Sequence, residues 1–249
     1  MACGDIKIKT LKIGDIDLTK YKDGSLAGFN IYEDILNPYG PVCEIRVIDH
    51  SDSLGQKKFT GSFDQDIEIE FSGDDNILSG GGSSKYKLKP FHNKNLNDQS
   101  VNNEGSGKHK QYDVRAVSEE LLNAQGNYIQ KAWNDKTSKM VEDVLKDGFK
   151  TQKQIDIKEK TKGKKKFRID NKHPLEALHM LNQEHVSDEN KSSAFVLFQQ
   201  PGQGEHKYVF ATFEKLFQEE SKVKLKQTTV LDYDGVSEQD RQNSIMWFR

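Results

Sequence analysis

Apolar and polar residues alternate with a period of two through much of the first third of the chain. Ile6 and Ile8 flank Lys7, and Cys43, Ile45 and Val47 are separated by Glu44 and Arg46. This is the spacing of half-buried strands, whose side chains point in turn to a core and to solvent. The pattern is clearest at 66–71, where Ile67, Ile69 and Phe71 share one face and Asp66, Glu68 and Glu70 the other. At 85–89 the charge inverts: Tyr86 and Leu88 face inward and Lys85, Lys87 and Lys89 outward. The two segments predict an antiparallel hairpin with an acidic row opposite a basic row. Each cross-strand pair would add about 0.2–1 kcal/mol and disfavour slipped registers. Two unrelated solvated faces are the alternative, because exposed charge pairs contribute little.

Beyond this hairpin, residues 92–110 hold almost nothing apolar and are too long for an ordinary turn, which makes them either mobile or a contact arm. A strand at 111–115 then runs into 117–122, where Ser118 is placed to cap a short helix. A boundary is expected here. Thr137 or Ser138 is expected to cap a second helix whose buried face is Met140, Val141, Val144 and Leu145 and which Gly148 stops. Strand candidates at 154–157 and 167–169 enclose 158–168, which carries seven basic residues. That segment reads as a solvated hairpin tip in preference to a phosphate-binding patch. Pro174 suits a first helical turn, with Leu175, Leu178 and Leu181 on one face. Apolar strands at 194–198 and 208–211 flank the turn 201–204. Ser237 and Asp240 form a near capping box before a predicted helix ending in Ile245, Met246, Trp247 and Phe248. Burying Trp247 and Phe248 would be worth about 1.5–3 kcal/mol each, either on their own chain or on a neighbour. The fold class expected is α+β, organised as an antiparallel β region at 1–117, a smaller α+β domain at 118–225 and a C-terminal segment at 226–249.

Composition narrows the function. The 249 residues carry a formal net charge of -2, against the excess of Lys and Arg that general nucleic-acid binding requires. Hydrophobic residues make up 34%, charged residues 31%, and mean hydropathy is -0.82, so the apolar supply is thin and large polar loops are expected. Cys3 and Cys43 are too few for a disulfide framework or a closed zinc site. No apolar run has the length of a membrane span, and the first residues lack the apolar core of a signal peptide, so the expectation is a protein made and kept in a cytoplasm unless something carries it out. There is no G-x-S-x-G, P-loop or H-E-x-x-H. His173, His179 and His185 do not complete a ligand spacing: His179 and His185 are six apart and point to different sides of a helix. No catalytic, cofactor or metal residue is assigned, and the chain is not expected to be an enzyme.

The run 29–54, FNIYEDILNPYGPVCEIRVIDHSDSL, resembles the N-terminal barrel of contractile-phage baseplate hub proteins. An aromatic and acidic element precedes a Pro, a strand follows and ends at Asp49, then come a Ser/Leu turn at 51–54 and the acidic amphipathic strand at 66–71. The later YDVRAVSEELL at 112–122 and the Pro174 helix with its apolar hairpin are similar to the α+β domain that follows that barrel. The hub-like half of type VI secretion spikes shares the plan, and the resemblance covers about residues 1–220, resting on order and pattern. It implies an N-terminal antiparallel, tail-tube-like β-barrel and a structural role in the virion tail. That role is a ring of three copies, or of six, joining the tail tube protein to the central spike protein among other baseplate subunits, with DNA passing through without specific binding.

The sequence departs from that plan, because only one barrel fits before residue 118. Either the second lies on another polypeptide, or the chain is a fragment, or six copies make the ring. Tyr32, Ile35, Leu36, Trp247 and Phe248 are the candidate inter-subunit or partner contacts. A tail-associated cell-wall hydrolase, a tail tube subunit and a free binding module are the alternatives.

Overall fold

The computed structural model describes residues 7–20, 24–34, 36–49, 65–72, 83–96, 110–183, 185–200, 206–219, 226–227 and 244–245. Its first part is a seven-stranded antiparallel sheet. The strands are β1 (Lys7–Ile13), β2 (Ile16–Asp17), β3 (Gly24–Tyr32), β4 (Val42–Asp49), β5 (Ile67–Ser72), β6 (Ser83–Leu96) and β7 (Lys110–Val117), in the spatial order β2-β1-β5-β6-β7-β4-β3. Alternation sorts each strand as its sequence dictates. Cys43, Ile45 and Val47 of β4, Ile67, Ile69 and Phe71 of β5, and Tyr112, Val114 and Ala116 of β7 enter one core with Leu11, Ile13 and Leu88.

The β5–β6 register places Glu68 opposite Lys87 and Glu70 opposite Lys85, the predicted matching of rows. In detail the ammonium groups slide along the ladder. Lys85 pairs with Glu70 at 3.6 Å, whereas Lys87 reaches Asp66 at 3.1 Å and Lys89 joins it. A second complementary pair sits on the outer face of β4 and β7, where Arg46 meets Asp113 and Arg115 meets Glu44, each at 2.9 Å.

β6 runs well past the expected end at Lys89. Its first half pairs with β5 and its second half with β7, and the register shifts between Pro90 and His92. The missing N–H of Pro90 therefore falls at a bulge, where a strand bends and tolerates it. The bend curls the sheet into a half-barrel. Phe29 of β3 comes within 6.1 Å of Phe71 of β5, ring to ring, and Phe71 stacks on Tyr86 at 5.7 Å, although β6, β7 and β4 lie between β3 and β5 in the sheet. Side chains thus close the core. Among the described residues no backbone pairing joins the two outer strands, so β2 and the nine-residue β3 are edges.

From Ser118 onward helices and strands mix. The elements are α1 (Glu119–Gly126), β8 (Ile129–Asp135), α2 (Thr137–Asp147), β9 (Ile155–Ile157), β10 (Lys165–Lys172), α3 (Pro174–Asn182), β11 (Phe195–Gln200), β12 (Lys207–Thr212) and α4 (Phe213–Phe217). Ser118 caps α1, its hydroxyl accepting from Leu121 N. Met140, Val141, Val144 and Leu145 of α2 bury the expected face, and Leu178 and Leu181 of α3 join them in a second core with Ala177, Trp133, Phe149, Tyr208 and Phe210, Leu175 being only partly buried. Gly148 ends α2 as expected, without adopting a left-handed conformation. Its φ is -89°, but a Cβ there would stand 2.6 Å from Pro174 Cγ, so α3 packs where only glycine fits. Lys136, not Thr137 or Ser138, occupies the N-cap of α2, and Thr161 Oγ1 accepts from Ser138 N at 2.9 Å.

Two expectations are corrected. The strands flanking the basic segment do not form a hairpin: β9 joins β12 in parallel and β10 pairs with β8. Each has a stronger apolar partner elsewhere, Ile155 and Ile157 beside Tyr208 and Phe210, and Phe167 opposite Trp133. The predicted C-terminal helix is contradicted at Ser244–Ile245, which forms strand β14 in parallel with β13 (Lys226–Gln227). The polar stretch 97–109, the turn 201–204, Ile35, Trp247 and Phe248 lie outside the described residues.

Candidate assembly surfaces

The segment between β3 and β4 joins two strands of the half-barrel and is fastened to the mixed region at several points. Asp34 Oδ1 accepts from Leu36 N at 2.8 Å and Asn37 Oδ1 from Tyr39 N at 3.2 Å. These are short local turns of the kind Asp and Asn side chains support. Ser118 Oγ donates to the Tyr39 carbonyl at 2.9 Å, tying the cap of α1 to this segment. His206 Nε2 lies 3.2 Å from Glu33 Oε1, and the ring of His206 rests 4.6 Å from that of Tyr86.

Gly40 completes the junction. Its φ of +77° lies in the left-handed region, and a Cβ there would meet Gln199 Nε2 at 2.5 Å. Gln199 in turn donates to Tyr208 Oη at 2.7 Å and accepts from Lys153 Nζ at 3.0 Å.

Against this fixed backbone Tyr32 and Leu36 are left outside, 54% and 68% exposed. Leu36, Pro38 and Tyr39 also form one wall of a groove of about 430 Å³ whose other wall includes Leu175, Leu178 and Leu197. Of the five contact candidates, Tyr32 ends edge strand β3 and Leu36 follows four residues later. Ile35, Trp247 and Phe248 are not among the described residues. The junction built on Gly40, Gln199, Glu33 and His206 had one sequence signal, a glycine between Tyr39 and Pro41.

A cleft of about 860 Å³ lies between the outer face of β1, β5 and β6 and the residues of α1 and 150–153. It is the place to look for a hydrolase. Its acids, Glu68, Glu70, Glu119 and Glu120, are interspersed with Lys12, Lys85, Lys87, Lys150 and Lys153. Glu120 is bound by Lys153 Nζ at 2.9 Å and Thr151 Oγ1 at 3.2 Å. Glycoside hydrolysis requires one carboxyl held neutral in an apolar setting beside one that is ionised, and carboxylates alternating with ammonium groups do not provide that contrast. Among the described residues no group of three or more His, Cys, Asp or Glu side chains is placed to hold a metal ion, and no helix is long and apolar enough to cross a membrane.

No protein-family model matches the chain, and no curated protein matches it in sequence. Solved structures do. The 43 kDa tail protein of prophage MuSo2 from Shewanella oneidensis superposes with a TM-score of 0.50 at 12% identity over 83% of this chain and 53% of that one. This is the fold of a phage tail protein. Two other similar structures have TM-scores of 0.48. The E. coli c3393 protein, a component of the type VI secretion system with structural similarity to the T4 bacteriophage tail proteins gp27 and gp5, matches at 10% identity over 83% of this chain and 48% of that one. The tail protein from Neisseria meningitidis MC58 matches at 8% identity over 84% of this chain and 52% of that one. The chain spans about half the length of each of the three structures.

Proposed function

We propose that this protein is a structural subunit of a phage-tail-like baseplate hub. Copies of it close into a ring of three, or of six, that joins the tail tube to the central spike and leaves a passage for DNA. Residues 1–117 supply the ring-forming half-barrel and 118–225 a buttress beside it. The observation that carries this reading is the open edge of the curled sheet. Among the described residues no strand lies beyond the nine of β3, and Tyr32 at its end and Leu36 four residues on stand exposed. A bare edge of that length invites pairing, and a closed symmetric assembly covers it with the next copy. Ile35, Trp247 and Phe248 are assigned to the same contacts on their sequence. The tail-protein fold supports a place in the virion tail, and the total charge of -2 suits a conduit that does not hold DNA by its phosphates.

Size-exclusion chromatography with light scattering, alone and with the tail tube protein encoded alongside, tests this. The expected particle has three or six times the chain mass of 28.4 kDa and binds the tube. A monomer at every concentration, together with clearing of a cell-wall suspension, would replace the structural reading with the hydrolase.

A further inference from the structure

Residues 158–168 carry seven cations and one carboxylate, a net charge of +6. Since the whole chain totals -2, everything outside the segment sums to -8. The charge is thus strongly divided, though the total is nearly neutral.

The segment is also anchored. Lys162 N donates to the Val186 carbonyl at 2.8 Å and Asp188 N to the Lys160 carbonyl at 3.0 Å. Thr161 bridges to Ser187, and both Glu159 and Thr161 are buried beneath the surface. The Glu159 carboxylate accepts from the Ser187 and Thr212 hydroxyls and from Asn190 Nδ2. Burial pushes this carboxyl up, but the donors around it outweigh burial and hold it below the usual range. Above this floor Lys160, Lys162, Lys164, Lys166 and Arg168 are all exposed. Arg168 pairs with Asp170 at 2.8 Å, whereas the four lysines have no ion pair among the described residues. Lysines elsewhere are commonly paired, Lys87, Lys131, Lys136, Lys153 and Lys207 among them.

Four ammonium groups with no ion pair among the described residues, carried on one anchored backbone, suit an anionic partner. Nucleic acid is the poorer fit. Four of the five exposed cations are lysines without the bidentate fork of arginine, the one aromatic, Phe167, packs against the second core, and the negative remainder of the chain repels phosphate. An acidic protein face fits better, and the chain itself offers one. Glu33, whose Oε1 also meets His206, and Asp34 are exposed beside Tyr32 and Leu36, so the end of edge strand β3 presents carboxylates together with apolar side chains. A head-to-tail contact between identical copies brings two different patches together, and complementary charge fixes its register and speeds its formation.

Resting on the ring reading, we infer that Lys160, Lys162, Lys164 and Lys166 of one copy dock against the Glu33–Asp34 end of β3 in the next. Sedimentation velocity tests this with wild type, a set carrying K160E, K162E, K164E and K166E, and that set combined with D34K, which leaves the Glu33–His206 contact in place. Circular dichroism of each monomer verifies folding, and a Lys→Gln set gives the same reading should the Glu set not fold. Wild-type association is expected to weaken about tenfold or more between about 0.05 M and about 0.5 M salt. The Lys-altered set should sediment as monomer, and the five-site combination should recover the ring in part. A Lys-altered set that assembles like wild type with unchanged salt dependence would overturn this contact while leaving the ring standing. A ring lost in the Lys-altered set and not recovered at all in the combination would reject the Asp34 end of β3 as the opposing face. A wild type that stays monomeric would remove both the contact and the ring. Duplex DNA bound by wild type and lost in an otherwise normally assembling Lys-altered set would assign the patch to nucleic acid.

Discussion

Replacing Gly40 with Ala tests how tightly the half-barrel is joined to the mixed region. Two costs are separable. At a φ of +77° an L-residue gives up about 1–2 kcal/mol relative to glycine. The new Cβ would also stand 2.5 Å from Gln199 Nε2, and Gln199 is not free to swing aside. It is 6% exposed and held at both ends, by Tyr208 Oη at 2.7 Å and Lys153 Nζ at 3.0 Å. Displacing it breaks one or both bonds and leaves buried polar groups unpaired, at about 1–3 kcal/mol. Together these predict a loss of about 2–5 kcal/mol, read as a lower urea midpoint at unchanged slope. In a Gln199→Ala background the steric part disappears, so the same Gly40→Ala change should cost only the backbone part of about 1–2 kcal/mol, and the double-mutant cycle reports the difference. A Gly40→Ala protein within about 0.5 kcal/mol of wild type, or a cycle with no coupling, would refute the junction as described.

Three further outcomes follow from particular side chains. Glu159→Gln places an amide among the Ser187, Thr212 and Asn190 donors and should cost about 2–3 kcal/mol by urea denaturation at neutral pH; because the native carboxyl titrates below its ordinary value, this cost should shrink as acid protonates the wild type, and a cost unchanged by acid would count against the cluster. His185 lies edge-on to Phe195 and Phe210, with neither ring nitrogen in a well-formed hydrogen bond. Burial, aided by the charge of Lys165, lowers it from 6.5 to about 4 against a weak opposing pull from the Leu181 carbonyl. The unfolded chain therefore binds the proton first, and stability held above pH 6.5 should fall by up to about 3 kcal/mol as pH drops toward 4; a His185→Leu protein should lose that slope, and a retained slope would show that another group carries it. Tyr32→Ser with Leu36→Ser should leave the urea midpoint within about 0.5 kcal/mol of wild type while weakening self-association about tenfold or more, for loss of about 1.5–3 kcal/mol per buried side chain; unchanged association would remove them from the interface.

What the sequence made legible was local and self-consistent. The β5–β6 pairing follows from one strand's carboxylates and the other's ammonium groups alternating in step, and the buried faces of α2 and α3 follow from their periodicity. The curl of the sheet was less accessible, since it depends on β6 continuing through Pro90 and changing partners, and a proline in that setting reads as an end. The parallel pairing of β9 with β12 was not legible at all. Ile155 to Ile157 is three residues long, and nothing near it names a partner 53 positions onward. That omission also misplaced the basic segment, which is a crossover fastened to the Ser187 loop and not a free hairpin tip. At the candidate site, Tyr32 and Leu36 could be singled out as apolar side chains ahead of Pro38, but Gly40 against Gln199 is a contact between distant parts of the chain and has no periodic signature.

Negative-stain electron microscopy of the purified chain tests most directly whether the half-barrel completes itself with identical copies. Class averages should show a closed ring with a central opening and three or six repeats. Isolated particles of single-chain size, with the β3 edge as accessible to hydrogen exchange as a free strand, would contradict it.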